Sequence, residues 1–257
     1  MTTKFFSNCR DMVATITSGS SLALFKNAIS YVIGADLLNS AVTNLHVITV
    51  PTGGLLIDLL IKHQKISHIE TSGISLGENG PAKNFTTLLE GQNLIDSEPT
   101  KNAIKITDAT CPAIYAGLQA AEKGIPFMPM RGLLGSDILH NREELKVITN
   151  PFKKDDLIVC IPPIVPDFTF FHVALADSEG NVFIGSDSEL KLLAHVSKKT
   201  LVSADMIVKT NLLMDPDYKN NTISNFYIDG ITETTRRNET LILKPFVHSV
   251  QGLDLFL

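Results

Sequence analysis

Apolar residues fall along this chain in short blocks of two kinds, and the alternation between them predicts its architecture. Residues 45–50 (Leu-His-Val-Ile-Thr-Val) form a β-rich run of strand length that stops at Pro51-Thr52-Gly53-Gly54. Residues 55–62 then carry apolar side chains at helical spacing. Residues 66–70 read as the next strand and 103–106 as another, followed by a helix over 112–123. Pro112 suits the first helical position, where a missing N–H costs nothing, and Gly124 suits the left-handed residue that closes a helix. Residues 126–128 predict a short strand. Residues 156–161 (Asp-Leu-Ile-Val-Cys-Ile) are apolar on both faces, as central strands of parallel sheets are, and 168–175 are a second such run. Asp177-Ser178-Glu179-Gly180-Asn181 predicts a turn, 182–184 a strand, 188–197 a helix and 200–203 a strand. This alternation predicts an α/β fold with an open, mostly parallel sheet and helices on both faces. With no internal repeat or low-complexity linker, residues 1–257 are expected to form one domain, with 205–257 as a C-terminal extension packing on it.

Composition narrows the partners. The chain of 257 residues is 44% hydrophobic and 19% charged, ordinary values for a folded globular protein. Its formal net charge of -5 argues against a nucleic-acid partner, and Lys198-Lys199 reads as a solvated helix end. Cys9, Cys111 and Cys160 are widely spaced and show no metal-type pattern, which fits reduced thiols in a reducing compartment. Arg10 and Asp11 interrupt any secretory signal, and the apolar stretches fall short of the roughly 20 residues that span a bilayer. A cytoplasmic protein with no membrane partner is expected. The Asn-x-Thr triplets at Asn84, Asn220 and Asn238 then read as chance matches.

In open parallel sheets ligands bind in loops at the carboxyl ends of strands, so the polar, glycine-bearing loops are the places to look for chemistry. Pro51-Thr52-Gly53-Gly54 can present backbone N–H groups at a helix start. Neither GxxxxGK[ST] nor GxGxxG occurs, so nucleotide and nicotinamide chemistry lack their usual support. In Arg131-Gly132-Leu-Leu-Gly135-Ser136-Asp137, Arg131 has two readings. It grips an anion bidentately, or it orders its own loop through Asp137. Glu78, in Ser75-Leu-Gly77-Glu78-Asn79-Gly80, is either an exposed loop carboxylate or, once desolvated, a nucleophile or base. His172, inside an apolar run, reads as a hydrogen-bonded core histidine rather than a metal ligand. Cys111 precedes the helix at Pro112, where the helix terminus favours a thiolate, yet no partner histidine is evident and a packed cysteine is the simpler reading.

Taken in order, these stretches resemble the alpha-type subunits of family I coenzyme A transferases. The resemblance runs through Val47 to Gly54, Ser75 to Ala82, Gly117 to Asp137 with its Phe-Met-Pro-Met-Arg-Gly-Leu-Leu-Gly-Ser-Asp block, Asn150-Pro-Phe152, Pro163-Ile-Val-Pro-Asp167, and His172 to Asn181. It covers roughly residues 30 to 210. It implies a CoA-transferase-like (NagB/RpiA-type) fold and a hetero-oligomer (αβ or α2β2) with a beta-type subunit. It also implies ping-pong transfer of CoA, a substrate rather than a resident cofactor, between acyl-CoA and a carboxylic acid. The glutamate that forms the thioester belongs to the beta subunit in this family, within Ser-Glu-Asn-Gly. Gly77-Glu78-Asn79-Gly80 is close to that motif, but its surroundings match the alpha-type loop. The resemblance therefore makes Glu78 a lining residue, with a catalytic role as the alternative. Gly53, Gly54, Ser75, Gly77, Asn79, Gly80, Arg131, Gly132, Gly135, Ser136 and Asp137 are the other implied lining residues, and no metal is implied. Three departures stand out. The family's N-terminal glycine-rich segment is matched to residues 17–23, with one glycine; Cys111 replaces an acidic residue; and Ser203-Ala204-Asp205-Met206-Ile207 replaces a Glu-Glu-Ile type motif. Related enzymes that hydrolyse CoA esters or open CoA-linked rings, and a non-catalytic scaffold chain, are the alternatives.

Overall fold

The computed structural model describes residues 3–91 and 103–234. The strands in chain order are β1 (Lys4–Phe6), β2 (Ser21–Phe25), β3 (Leu45–Val50), β4 (Ile66–Thr71), β5 (Lys105–Asp108), β6 (Met128–Met130), β7 (Lys146–Thr149), β8 (Leu157–Ile161), β9 (Phe168–Asp177), β10 (Val182–Phe183), β11 (Lys199–Val208), β12 (Thr222–Ile223) and β13 (Gly230–Glu233). The helices are α1 (Cys9–Val13), α2 (Tyr31–Asn39), α3 (Leu55–Lys62), α4 (Lys83–Leu89), α5 (Cys111–Lys123), α6 (Asp137–His140) and α7 (Ser188–Val196).

The main sheet runs β1-β13-β11-β9-β2-β3-β4-β5, with every pair along that path parallel. Its central strands β2, β3, β9 and β11 bury most of both faces, as parallel sheets require. Helices α1 to α4 cover one face, packing Met12, Ile33, Leu37, Leu56 and Leu60 against Leu22, Leu45 and Phe170. Helices α5 and α7 cover the other, packing Ile114, Leu118, Leu190 and Leu193 against Ala23, Ile48, Phe171 and Val202. The expected α/β architecture is therefore present, and β3 and α3 fall on the residues that the pattern predicts. Gly124 closes α5 in the left-handed region (φ 61°).

Two expectations are corrected. The apolar pattern makes residues 156–161 a central parallel strand, but β8 is the middle of a separate antiparallel sheet, β6-β8-β7, packed on α5 through Leu133, Val159 and Ile161. A run buried on both faces has the same apolar signature in either setting, which is why the pattern misplaces it. Residues 205–257 are not an appended extension as far as they are described. Residues 205–208 complete β11, and β13 lies in the main sheet between β1 and β11. Residues 235–257 lie outside the described residues.

Buried polar groups fix this frame. Asp177, fully buried, accepts hydrogen bonds from the N–H groups of Glu179, Asn181 and Leu212 and from Asn181 Nδ2, so the 177–181 turn is a structural knot. Asp58 of α3 accepts from Phe85 N–H and Asn84 Nδ2, and burial raises its pKa against those bonds. Asn84, one of the three glycosylation-type triplets, is thus an interior residue. The segment after α6 is clipped to the sheet by Arg142, which bonds Glu70 at 2.8 Å and Glu144 at 2.7 Å. Beside it, the rings of His46 and His68 stack 3.9 Å apart. The three cysteines are free, and no helix among the described residues is long and apolar enough to cross a membrane.

Breaking the clip has a clear expected outcome: Glu70→Gln leaves a buried guanidinium half-paired, costing about 3 kcal/mol in denaturant unfolding. A loss near zero would mean that the pair is not buried in solution. A second expectation concerns pH. Burial first, then His46 and Lys105, push His68 down to about 4. The unfolded ring protonates near 6.5, so the folded state binds fewer protons between those values. Stability is therefore expected to fall as pH drops from about 6.5 toward 4, and His68→Gln is expected to flatten that slope in thermal melts.

Candidate functional site

The glycine-bearing edge begins where β3 and β4 leave the sheet. Gly53 N–H donates to Gly73 O at 2.9 Å and Ser75 N–H to Gly53 O at 3.1 Å, so the two strands continue as a short parallel bridge beyond their regular ends. Gly53 is required there, because a Cβ would lie 2.8 Å from Ile74 Cγ1. Gly54 is the N-cap of α3. Lys26, at the carboxyl end of β2, lays its stem across Gly54 and donates from Nζ to Ser75 O at 3.1 Å.

The next loop is closed on itself. Gly77–Asn79 make one 3₁₀ turn, with Leu76 N–H bonded to Gly80 O and Gly80 N–H to Gly77 O. Gly77 and Gly80 both have positive φ, which explains the glycines flanking Glu78. Glu78 projects from the tip of this loop and is exposed. The predicted lining residues Gly53, Gly54, Ser75, Gly77, Glu78, Asn79 and Gly80 therefore come together at one edge.

Below that loop lies a hydroxyl network. Thr71 Oγ1 donates to Gly73 O, so the 2.7 Å contact between Thr49 and Thr71 is a Thr49 donation. Ser72 Oγ donates to Pro51 O at 2.6 Å, which leaves the Cys111 thiol to donate to Ser72 Oγ at 3.0 Å. Cys111 thus sits at the edge as a hydrogen-bonded thiol at the first position of α5, with Thr110 capping the helix.

Arg131, Gly132, Gly135, Ser136 and Asp137 lie elsewhere, on the turn between β6 and α6 that packs through Leu133 on α5. Of the two readings of Arg131, the pairing with Asp137 is corrected in its partner. Arg131 bonds Asp156 bidentately, at 3.0 Å from Nε and 2.6 Å from Nη2. Those bonds, with one from Asn150, hold the Asp156 carboxyl at about 2. The guanidinium fork is therefore spent on the neighbouring hairpin of β7 and β8. No described hydrogen bond or ion pair joins this turn to the Glu78 loop.

Sequence reasoning missed a cavity of about 380 Å³. β2 and β9 pair only at Leu22↔Phe168 and Ala23↔Thr169 and then part. Strands after β2 are laid down on one side and strands after β9 on the other, so this is where the sheet order reverses and where ligand crevices form. Residues 27–29 and Tyr31 line the opening from one side and His172, Asp205 and residues 183–187 from the other. His172 Nδ1 meets Ser203 Oγ at 2.9 Å, and Ser203 Oγ donates to Ser30 Oγ at 2.7 Å. With that hydroxyl committed, the ring N–H is the donor to Ser203, and Nε2 faces Asp205 Oδ1 at 3.4 Å. His172 is hydrogen-bonded, as the sequence suggested, but in a cavity wall. Its signal was a polar residue in an apolar run; Asp205 was marked only within the 203–207 segment that departs from the family's motif, and Lys26 gave no signal. Residues 17–23, matched to the family's glycine-rich segment, run up to β2 and through its first three residues, while residues 26–30 follow its carboxyl end. Among the described residues, no group of three or more His, Cys, Asp or Glu is placed to hold a metal ion.

Comparison with known proteins gives a consistent picture, although no family model matches the sequence. The chain is 29% identical over 142 residues to the cholesterol ring-cleaving hydrolase IpdA subunit of Rhodococcus jostii, a match covering 52% of this chain and 48% of that one. It is 27% identical over 218 residues to the same-named subunit of Mycobacterium tuberculosis, covering 79% and 70%. It is 31% identical over 108 residues to the A-type subunit of 3-oxoadipate CoA-transferase from Pseudomonas knackmussii, covering 42% and 38%. In several relatives the matched region is thus less than half of the protein. Glutaconate CoA-transferase of Acidaminococcus fermentans superposes with a TM-score of 0.78 at 20% identity, covering 91% of this chain and 76% of that one. The decarboxylase AibA/AibB does so at 0.77 and 18% identity, covering 98% and 88%. The chain is thus similar in sequence to subunits named as the A subunits of CoA-transferases and as ring-cleaving hydrolase subunits, and it shares the fold of solved CoA-transferases.

Proposed function

We propose that the chain is the alpha-type half of a two-chain enzyme that moves CoA between an acyl-CoA and a carboxylic acid. The observation that carries this reading is the exposure of Glu78 at the tip of the loop beside Gly53 and Gly54. A carboxylate that forms a thioester must be shielded from water, or the intermediate hydrolyses. The edge as built by this chain alone leaves that loop open, which fits a cleft completed by a second, beta-type chain.

In that cleft a glutamate of the partner attacks the thioester carbonyl. CoA thiolate leaves, and a mixed anhydride of glutamate and acyl group forms. The thiolate then attacks the glutamyl carbonyl, releasing the first carboxylic acid and leaving a glutamyl-CoA thioester. The acceptor carboxylate reverses both steps, so bonds and charges balance without net hydrolysis. This chain's part is to present the 51–54 turn and the 75–80 loop as one wall, with Lys26 fixing their spacing.

A second reading is favoured by a sequence match over 218 residues to a subunit named as a ring-cleaving hydrolase. In that reaction Glu78 is the acid or base, acting on water or on a ring carbon next to a CoA thioester.

The two readings separate in the complex of this chain with a beta-type partner. Trapping with borohydride in the presence of acyl-CoA is expected to label a glutamate of the partner chain, and mass spectrometry locates it. A label on Glu78 would reverse the division of labour, and free CoA without any label would favour hydrolysis. Glu78→Gln is expected to lower kcat by less than about tenfold under the transferase reading, and by about 10²-fold or more if Glu78 is the acid or base. The chain purified alone is expected to show no acyl-CoA turnover. Full activity without a partner would refute the half-built cleft.

A further inference from the structure

The cavity between β2 and β9 is polar, and its charge is one-sided. Asp187 and Asp205 line it, and no lysine or arginine among the described residues does. Asp187 is the N-cap residue of α7, yet its side chain makes no capping hydrogen bond, so its carboxylate is not consumed by the helix. Asp205 stands 3.4 Å from His172 Nε2. That one imidazole can offset at most one of the two carboxylates. The other side of the ring is tied to Ser203, and Ser203 to Ser30 at the start of α2, so the imidazole is held in place rather than free to turn toward an incoming anion.

Carboxylates accept hydrogen bonds and cannot donate them, so a ligand here must bring donors. A ligand carboxylate would meet like charge at short range in half-buried surroundings, where screening is weak. Asn27, Tyr31 and Ser186 add groups that match a hydroxyl as donor or acceptor, while Ile29, Val173 and Leu190 supply apolar wall. The cavity is also tied to the glycine-bearing edge. Lys26 and Asn27 are consecutive residues of one 3₁₀ turn. The first reaches Gly54 and Ser75, and the second lines the cavity.

From this arrangement we propose that the cavity is the acyl pocket of the enzyme and selects a hydroxyl-bearing acyl group over one that ends in a second carboxylate, with Asp187 and Asp205 as the specificity-determining residues. The inference rests on the acyl-CoA reading above and adds a substrate class to it.

The test uses the complex with its beta-type partner and three four-carbon donors: 3-hydroxybutyryl-CoA, butyryl-CoA and succinyl-CoA. The expected kcat/KM order is hydroxybutyryl first, butyryl about tenfold or more below it, and succinyl last. Asp187→Asn and Asp205→Asn, which remove charge at constant size, are each expected to raise succinyl-CoA relative to 3-hydroxybutyryl-CoA by about tenfold. Succinyl-CoA equal to or better than 3-hydroxybutyryl-CoA, or a ratio unmoved in both variants, would overturn the proposal. Calorimetry with unreactive thioether analogues of the three donors reads the wild-type pocket independently of turnover and of any variant's folding. The same order in binding, with no turnover of any donor, would sink the acyl-transfer reading and uphold the pocket. Turnover accompanied by equal binding of all three would do the reverse.

Discussion

The structure turns on the place where β2 and β9 meet and then separate. Two ladder pairs, Leu22↔Phe168 and Ala23↔Thr169, join the halves of the main sheet. The junction is clamped from the amino end by Asp167, which accepts from the backbone and hydroxyl of Ser21 and from Lys198. Past Ala23 the strands diverge because the chain leaves β2 for one side of the sheet and β9 for the other. Connections that run opposite ways cannot cover the gap between their starting points, so a crevice opens at the carboxyl ends. The cavity, the Lys26 turn and the glycine-rich edge all lie beside that crevice.

Local order near this crevice comes from polar groups that have little freedom left. Thr49, Thr71, Ser72 and Cys111 each have a defined partner, and their bonds hold the backbone of residues 51–54 and 71–75 at fixed spacing. That matters because donors aimed at a reacting oxygen help only when they need no reorganisation at the moment of reaction. Gly53 permits the two segments to approach, and the hydroxyls then lock them. The Arg131–Asp156 pair does comparable work for the β6–β8 lobe, which is why its guanidinium is not offered to an anion.

What the sequence made legible follows from range. β3, α3 and the capping of α5 were readable because hydrophobic period, Pro112 and Gly124 are local signals. The glycines around Glu78 were readable as a tight turn for the same reason. Long-range partners were not. Asp156 is distant from Arg131 in sequence, and Asp137 was the nearer acid. β8 has the apolar content of a central strand, but which sheet it joins depends on β6 and β7 arriving beside it. His172 was visible as a polar residue among Phe170, Phe171 and Val173. Its neighbours Ser203 and Asp205 are set by the parallel register of β11 on β9, which places Ser203 opposite His172 and Asp205 next along the same face.

The half-open edge fits both of the proposed readings, transfer and hydrolysis. Each needs a carboxylate placed beside a CoA thioester. They differ in whether water is admitted to the closed cleft. Glu78 stands on a loop whose turn bonds run within residues 75–80 and whose first residue, Ser75, is tied to Gly53 and Lys26. Under the two-chain reading, water access at that loop is decided by whatever surface closes over it. A tight lid leaves the glutamyl thioester to the incoming acid, and a looser one admits water. The chemistry is then set at the interface, while the cavity proposed above as the acyl pocket is walled by elements of this chain in either case.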